Sequence, residues 1–183
     1  TLRAIEASVN LANAHDIKPD HIESIEVLIN STRRNFLRFD KPSSGDEAKF
    51  SMPYAVAIGL TDRNITLESF TDEKVNQLSI QKIMDKVKLT VMDDSLSDEI
   101  KKTTPVTITL AKGNVYTENV VDFTGTAKNP MSDDDFREKF LYCSSIPEPG
   151  MPREQVDDCI EIINDLENQD RIDTLMDTLM IEK

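Results

Sequence analysis

The chain has 183 residues, of which 38% are hydrophobic and 30% are charged. This length suits one domain, or a compact unit with a docking appendage, and the mixing of charged with apolar residues excludes disorder. The formal net charge of −13 argues against nucleic acid as a partner. No apolar run approaches the roughly 18 residues of a membrane-spanning helix and no leader opens the chain, so we expect neither membrane insertion nor secretion.

The first half of the chain predicts two helices and one strand. Apolar residues at helical spacing indicate a helix over 2–12, and alternation indicates a strand over 25–29. Residues 33–46 are charged and contain Pro and Gly, which is typical of a loop. The next helix is predicted over 47–60, with Ser51 as its candidate cap.

The middle of the chain predicts a small sheet. Short helical pieces over 66–84 are followed by strands over 87–91, 106–110 and 115–120. Gly and Asn in 112–114 favour a hairpin turn between the last two strands, because both residues tolerate positive φ.

From Ser132 onward the pattern is helical and acidic. Residues 126–183 carry 15 acidic and 6 basic residues, and apolar stripes mark helices over 156–166 and 172–180. One-sided helices must bury their apolar stripe, and three partners could cover it: the α+β unit, a missing part of the same protein or a second subunit. The predicted fold class is α+β, with a small mixed or antiparallel sheet followed by C-terminal helices.

The sequence lacks the familiar signatures of catalysis and metal binding. It has only five glycines and no Gly-rich phosphate loop, and His15 and His21 have the wrong spacing for a helical metal pair. Cys143 and Cys159 fit no metal motif, and we interpret them as thiols in a reducing cytosol. The sequence therefore predicts a cytoplasmic protein without a metal site.

The segment 33–49 is the most unusual part of the chain electrostatically. It holds five basic and three acidic residues in a chain of net charge −13. Such a patch suits an anionic small molecule, because the arginine fork matches a carboxylate. A solvated loop without a ligand is the alternative.

Residues 47–57 (EAKFSMPYAVA) resemble a segment of the MmgE/PrpD family. Weaker matches follow in family order at 65–70 (ITLESF), at the 112–113 turn and over 129–140. The family includes 2-methylcitrate dehydratase, iminodisuccinate epimerase and cis-aconitate decarboxylase. One departure is Asp62-Arg63, where the family usually has Asp-Gly.

The resemblance implies a three-part organisation. Residues 1–14 would end a segment of a helical domain, 15–125 would form an α+β lid, and 126–183 would be helices that dock on the helical domain. The chain begins at Thr1 rather than Met, so we expect a fragment or a processed product. The family's catalytic histidines would precede it, so we expect the isolated chain to be inactive. Without the helical domain, we expect the stripes of 156–166 and 172–180 to stay partly exposed or to be buried in a non-native dimer. The implied partners are the N-terminal helical domain and a second copy in a homodimer.

The resemblance also implies site residues. Tyr54 would be the catalytic tyrosine, while Lys49 and Ser51 match the family pattern and, with Arg38 from the positive segment, are predicted to bind substrate. Tyr54 is also spaced for core packing against Ile58, which is the alternative interpretation.

The function implied is that of a carbon–oxygen lyase that needs no cofactor or metal and acts on a di- or tricarboxylate. A reaction like that of 2-methylcitrate dehydratase, in propionate catabolism, leads this prediction. Cis-aconitate decarboxylation and iminodisuccinate epimerisation are alternatives within the family. A non-catalytic α+β interaction module is the alternative of another class.

Overall fold

The computed structural model of the chain describes residues 1–93 and 95–180. These residues form two compact units, the first spanning residues 1–123 and the second starting at Thr124. Among the described residues, no helix is both long and apolar enough to cross a membrane.

The first unit combines seven named helices with four strands in its described part. The helices are α1 (Leu2–Ala14), α2 (Ser31–Phe36), α3 (Gly45–Ala48), α4 (Met52–Thr61), α5 (Asp72–Val75), α6 (Leu78–Met84) and α7 (Asp98–Lys101). The strands are β1 (Ile22–Ile29), β2 (Val87–Val91), β3 (Val106–Leu110) and β4 (Val115–Glu118). Single 3₁₀ turns occur at Pro19–His21 and Leu67–Phe70.

The four strands form one mixed sheet in the order β2-β1-β3-β4. β1 pairs in parallel with β2 and antiparallel with β3, and β3 and β4 form an antiparallel hairpin. Gly113 takes φ 86° in the hairpin turn, as the sequence predicts. The α+β class and the small mixed sheet are therefore confirmed.

The core of the first unit is built around α4. Every residue from Met52 to Leu60 is buried, and α1 packs against this helix. The two helices approach closely at Gly59, where a β-carbon would lie 2.8 Å from Ser8 Cβ and 3.0 Å from the Ile5 carbonyl oxygen. The side of β1 that carries Ile25, Val27 and Ile29 faces the core, which the alternating pattern predicts.

The loop predicted over 33–46 is partly helical, and the helix predicted from residue 47 begins later. Asn30 caps α2 by accepting the Arg33 N–H at 2.7 Å, and Ser44 caps the single turn α3. Ser51 is extended and interrupts the helical path, so α4 starts at Met52. Side-chain caps thus divide into two helices a segment that hydrophobic periodicity predicts as one helix.

Arg63, which stands where the family usually has glycine, lies two residues after the end of α4. Arg63 takes φ 56°, in the left-handed region that glycine adopts without steric cost. Its guanidinium donates a 3.0 Å hydrogen bond to the Ile17 carbonyl and lies 3.6 Å from the Asp16 carboxylate. These contacts offset part of the backbone cost of having arginine at the position.

The second unit contains α8 (Asp133–Ser145), α9 (Arg153–Asn164), a 3₁₀ turn at Leu166–Asn168 and α10 (Asp173–Thr178). Ser132 and Asp135 form a reciprocal capping box at the start of α8. Val156 and Cys159 on α9 are buried, whereas Ile163, Ile172 and Met176 are all more than 40% exposed. The partial exposure of both stripes agrees with the expectation that the family resemblance implies for this chain.

The three-part organisation stays a prediction. α1 lies within the first unit and packs on α4, and the second unit begins close to the predicted boundary at residue 126. Neither observation identifies a helical domain on which residues 1–14 or 126–183 would dock.

Candidate functional site

The first turn of α4 carries two of the predicted site residues, Ser51 and Tyr54. Both are completely buried. The Tyr54 N–H donates to Ser51 Oγ at 3.2 Å, so the serine is the N-cap of the helix, and Pro53 occupies the first turn where its missing N–H is harmless. The structure shows Ser51 as a cap; its role in substrate binding stays a prediction.

The Tyr54 hydroxyl points into the unit, where it donates a short hydrogen bond to the carbonyl oxygen of Ser69. The ring lies tilted against Phe70, with 5.9 Å between the centroids. Burial, and secondarily the charge of Asp62, raise the pKa of Tyr54 well above its ordinary value of about 10. The phenol therefore stays protonated at neutral pH, and its proton is held by a backbone carbonyl.

Lys49 and Arg38 lie at the surface on neighbouring segments. The Phe39 N–H donates to the Phe50 carbonyl at 3.5 Å, which brings the two segments together. Lys49 pairs with Asp46 at 2.9 Å. Arg38 is exposed and makes no hydrogen bond or ion pair with any described residue, so it is the cation of this segment most available to a ligand.

Three of the five basic side chains of segment 33–49 are paired with carboxylates, whereas Arg33 and Arg38 form no ion pair with a described residue. Arg34 pairs with Asp40 at 2.8 Å, and Lys41 pairs with Asp85 at the same distance. Exposed pairs of this kind contribute little to stability, but they reduce the field that an approaching anion meets. The patch seen in the sequence is therefore weaker in the structure.

A cavity of about 170 Å³ lies between the first turn of α1 and the first residue of α4. Arg3 and Arg33 both line it, beside Met52, Thr104 and Phe123. We call this feature the arginine cavity. The sequence does not predict this cavity, because Arg3 and Arg33 stand thirty positions apart and only the fold brings them together.

Arg33 is held rigidly at the wall of the arginine cavity. Its Nη1 donates to the Thr103 carbonyl at 2.8 Å and to Thr104 Oγ1 at 2.9 Å, and its Nη2 donates to the Lys102 carbonyl at 2.9 Å. Burial, and then the nearby charge of Arg3, lower the pKa of Arg33. Three of the five N–H groups of the guanidinium thus hold it against residues 102–104, the segment that follows α7.

Arg3 is held from two sides. Its Nε donates to the Val121 carbonyl at 2.9 Å, and its guanidinium carbon lies 5.2 Å from the centre of the Phe123 ring, a cation–π distance. Neither Arg3 nor Arg33 forms an ion pair with any residue that the structure describes.

Neither His15 nor His21 lines the arginine cavity. His15 stacks on Tyr116 with 3.9 Å between the ring centroids. Over the described ranges, no group of three or more His, Cys, Asp or Glu side chains is arranged to hold a metal ion.

Residues 1–168 match the MmgE/PrpD C-terminal domain. The chain belongs to the MmgE/PrpD family. The match confirms the resemblance seen in the 47–57 motif, which in the structure covers the last part of α3 and the first turns of α4. It extends through α8 and α9 of the second unit and ends before α10.

Two relatives show how much of an MmgE/PrpD protein this chain represents. The cis-aconitate decarboxylase of Mus musculus is 30% identical over 149 residues, which cover 81% of this chain and 30% of that protein. The cis-aconitate decarboxylase of Homo sapiens is 27% identical over a stretch of the same length and coverage. The chain therefore spans about 30% of the length of these curated relatives.

Proposed function

We propose that this chain is the C-terminal region of an MmgE/PrpD lyase that acts on a small polycarboxylate. The observation that carries the proposal is the family match over residues 1–168, which covers the first compact unit and most of the second. The N-terminal helical domain of the same protein and a second copy of it are the partners that this proposal implies. The C-terminal helices offer exposed apolar side chains for such contacts, among them Ile163, Ile172 and Met176.

Dehydration of a hydroxy acid like 2-methylcitrate is the leading reaction. Elimination of water needs a base for the proton α to a carboxylate and an acid for the departing hydroxyl. Decarboxylation of cis-aconitate is the second candidate, because both relatives described above carry the name cis-aconitate decarboxylase. That reaction also needs a proton donor, which protonates the carbanion left when carbon dioxide departs.

Both reactions therefore require groups that hold carboxylates and a group that supplies a proton. We propose Tyr54 as the proton donor and Arg38, Lys49 and Ser51 as substrate-binding residues. The protonated state of the Tyr54 phenol at neutral pH is compatible with the first role, although burial makes the hydroxyl a weaker acid than a free phenol. To act on a substrate, the hydroxyl must exchange the Ser69 carbonyl for the substrate.

A thermal-shift titration of the longer protein distinguishes a lyase from an interaction module. A ligand that binds only the folded state stabilises it by about 2.7 kcal/mol at a hundred times its Kd. We expect the melting temperature to rise, with saturation, on titration with a tricarboxylate such as tricarballylate. Sodium chloride at matched ionic strength is the control. A melting curve that responds equally to tricarballylate and chloride would favour the interaction module.

A further inference from the structure

The Tyr54 phenol is placed by the 3₁₀ turn Leu67–Phe70, which contacts it twice. The Ser69 carbonyl oxygen accepts from the hydroxyl, and the Phe70 ring lies against the tyrosine ring. Within the turn, Ser69 Oγ accepts the Thr66 N–H at 3.2 Å, and the Ser69 N–H donates to the Thr66 carbonyl at the same distance. Because these bonds close the turn on itself, its contacts with Tyr54 change only when the whole turn moves.

The same turn is fastened to the start of α3. Asp72, the first residue of α5, accepts the Gly45 N–H through Oδ1 at 2.7 Å. The Phe70 carbonyl oxygen packs directly on Gly45, in space that a β-carbon would fill. Asn76, at the end of α5, adds a second link, because its Nδ2 donates to the Ser43 carbonyl at 2.9 Å. The position of the turn therefore depends on its contacts with α3.

The helix α3 also leads to one of the predicted substrate-binding residues. The Lys49 N–H donates to the Gly45 carbonyl at 3.3 Å, so Gly45 is bonded to Lys49 through its carbonyl and to Asp72 through its N–H. A single helical turn thus joins a predicted binding residue to the turn that places the Tyr54 phenol. Removing the Asp72 carboxylate would release α3 from that turn while leaving the Lys49 side chain in the protein.

We propose that Asp72 is a positioning residue for Tyr54, which acts by holding the turn Leu67–Phe70 against α3. Its carboxylate does not touch the phenol and works through Gly45 and the turn. The consequence for catalysis rests on the proposed function, in which the Tyr54 hydroxyl supplies a proton to a bound polycarboxylate. When substrate takes over the hydroxyl from the Ser69 carbonyl, the Phe70 ring still holds the tyrosine ring, so the turn positions the donor during the reaction as well.

The exchange of the Tyr54 hydroxyl proton with water, followed by NMR on the 183-residue chain, tests the positioning role without any substrate. A buried, hydrogen-bonded proton exchanges only when the structure around it opens. Asp72→Ala removes the acceptor of the Gly45 N–H and should speed this exchange by about tenfold. Asp72→Asn keeps a side-chain oxygen that can accept the same N–H and should exchange at nearly the wild-type rate.

The matched control is Asp85→Ala, because Asp85 also holds segment 33–49, through Lys41 at 2.8 Å, and is not among the contacts of the turn described above. It should leave the hydroxyl exchange unchanged. If Asp72→Ala does not fold, Asn76→Ala decides instead, since it cuts the second link and should also speed the exchange. The inference is overturned when the folded variant exchanges the Tyr54 hydroxyl proton at the wild-type rate.

A double-mutant cycle on kcat of the longer protein distinguishes positioning of Tyr54 from a general loss of stability. Asp72→Ala should lower kcat by about 10- to 100-fold with little change in KM, because the phenol is misplaced while the binding side chains remain. In a Tyr54→Phe background it should lower kcat no further. An equal loss in both backgrounds would overturn the positioning role. The proposed function fails separately when the hydroxyl exchange responds as expected but the longer protein converts no family substrate.

Discussion

Replacing Gly45 by alanine is expected to destabilise the first unit by about 3 kcal/mol or more, which is the upper end for a single added methyl group. A β-carbon at this position would lie 1.7 Å from the carbonyl oxygen of Phe70, and a backbone atom cannot rotate away as a flexible side chain can. The Gly45 N–H also donates to Asp72 Oδ1 at 2.7 Å, so moving α3 would break a hydrogen bond as well. Equilibrium denaturation with urea measures the loss.

Asp46→Ala is the matched control for Gly45→Ala, because it changes the next residue of α3 at a side chain that is 92% exposed. It removes only the exposed pair with Lys49 and should change stability by less than about 0.5 kcal/mol. Equal stability of Gly45→Ala and wild type would show that the Leu67–Phe70 turn can move away from α3. In that case the turn would also hold the Tyr54 hydroxyl less firmly than the structure indicates.

Replacing Tyr54 by phenylalanine is expected to lower kcat of the longer protein by about 10²- to 10⁴-fold, the usual contribution of a general acid. The structure adds a second effect that the sequence did not predict. Removing the hydroxyl leaves the buried Ser69 carbonyl without its donor, which should cost about 1–3 kcal/mol of stability. Steady-state kinetics and thermal unfolding of the same preparation separate the two effects.

Tyr116→Phe serves as the control for Tyr54→Phe. The Tyr116 hydroxyl lies 3.4 Å from Asn114 Nδ2 near the surface, so its removal should alter neither kcat nor stability appreciably. If Tyr54→Phe lowers only stability and each folded molecule keeps its kcat, Tyr54 is a packing residue and its catalytic role is refuted.

Local rules account for the parts of the fold that could be predicted. The strand around Val27, the hairpin at Gly113 and the N-caps at Ser51 and Ser132 each depend on a few neighbouring residues. Hydrophobic periodicity alone does not separate α3 from α4, because the side-chain caps Ser44 and Ser51 set where each helix begins.

Most of the candidate site could not be predicted, because its contacts join distant segments. The Ser69 carbonyl that accepts from Tyr54 is fifteen residues away in a 3₁₀ turn. Arg33 appeared in the sequence as one cation of a loop, and its fixation on the segment after α7 depends on tertiary structure. Arg3 is a single arginine in an amphipathic helix, and nothing in the sequence around it indicates that it lines the same cavity as Arg33.

The most direct test of the proposed function is turnover by the longer protein of 2-methylcitrate, cis-aconitate and iminodisuccinate, assayed side by side with the isolated 183-residue chain. We predict that the longer protein converts at least one of the three, with loss of water from 2-methylcitrate as the leading expectation, and that the isolated chain converts none. Failure of the longer protein to convert any of them, or turnover by the isolated chain, would contradict the assignment of this chain as the C-terminal region of a polycarboxylate lyase.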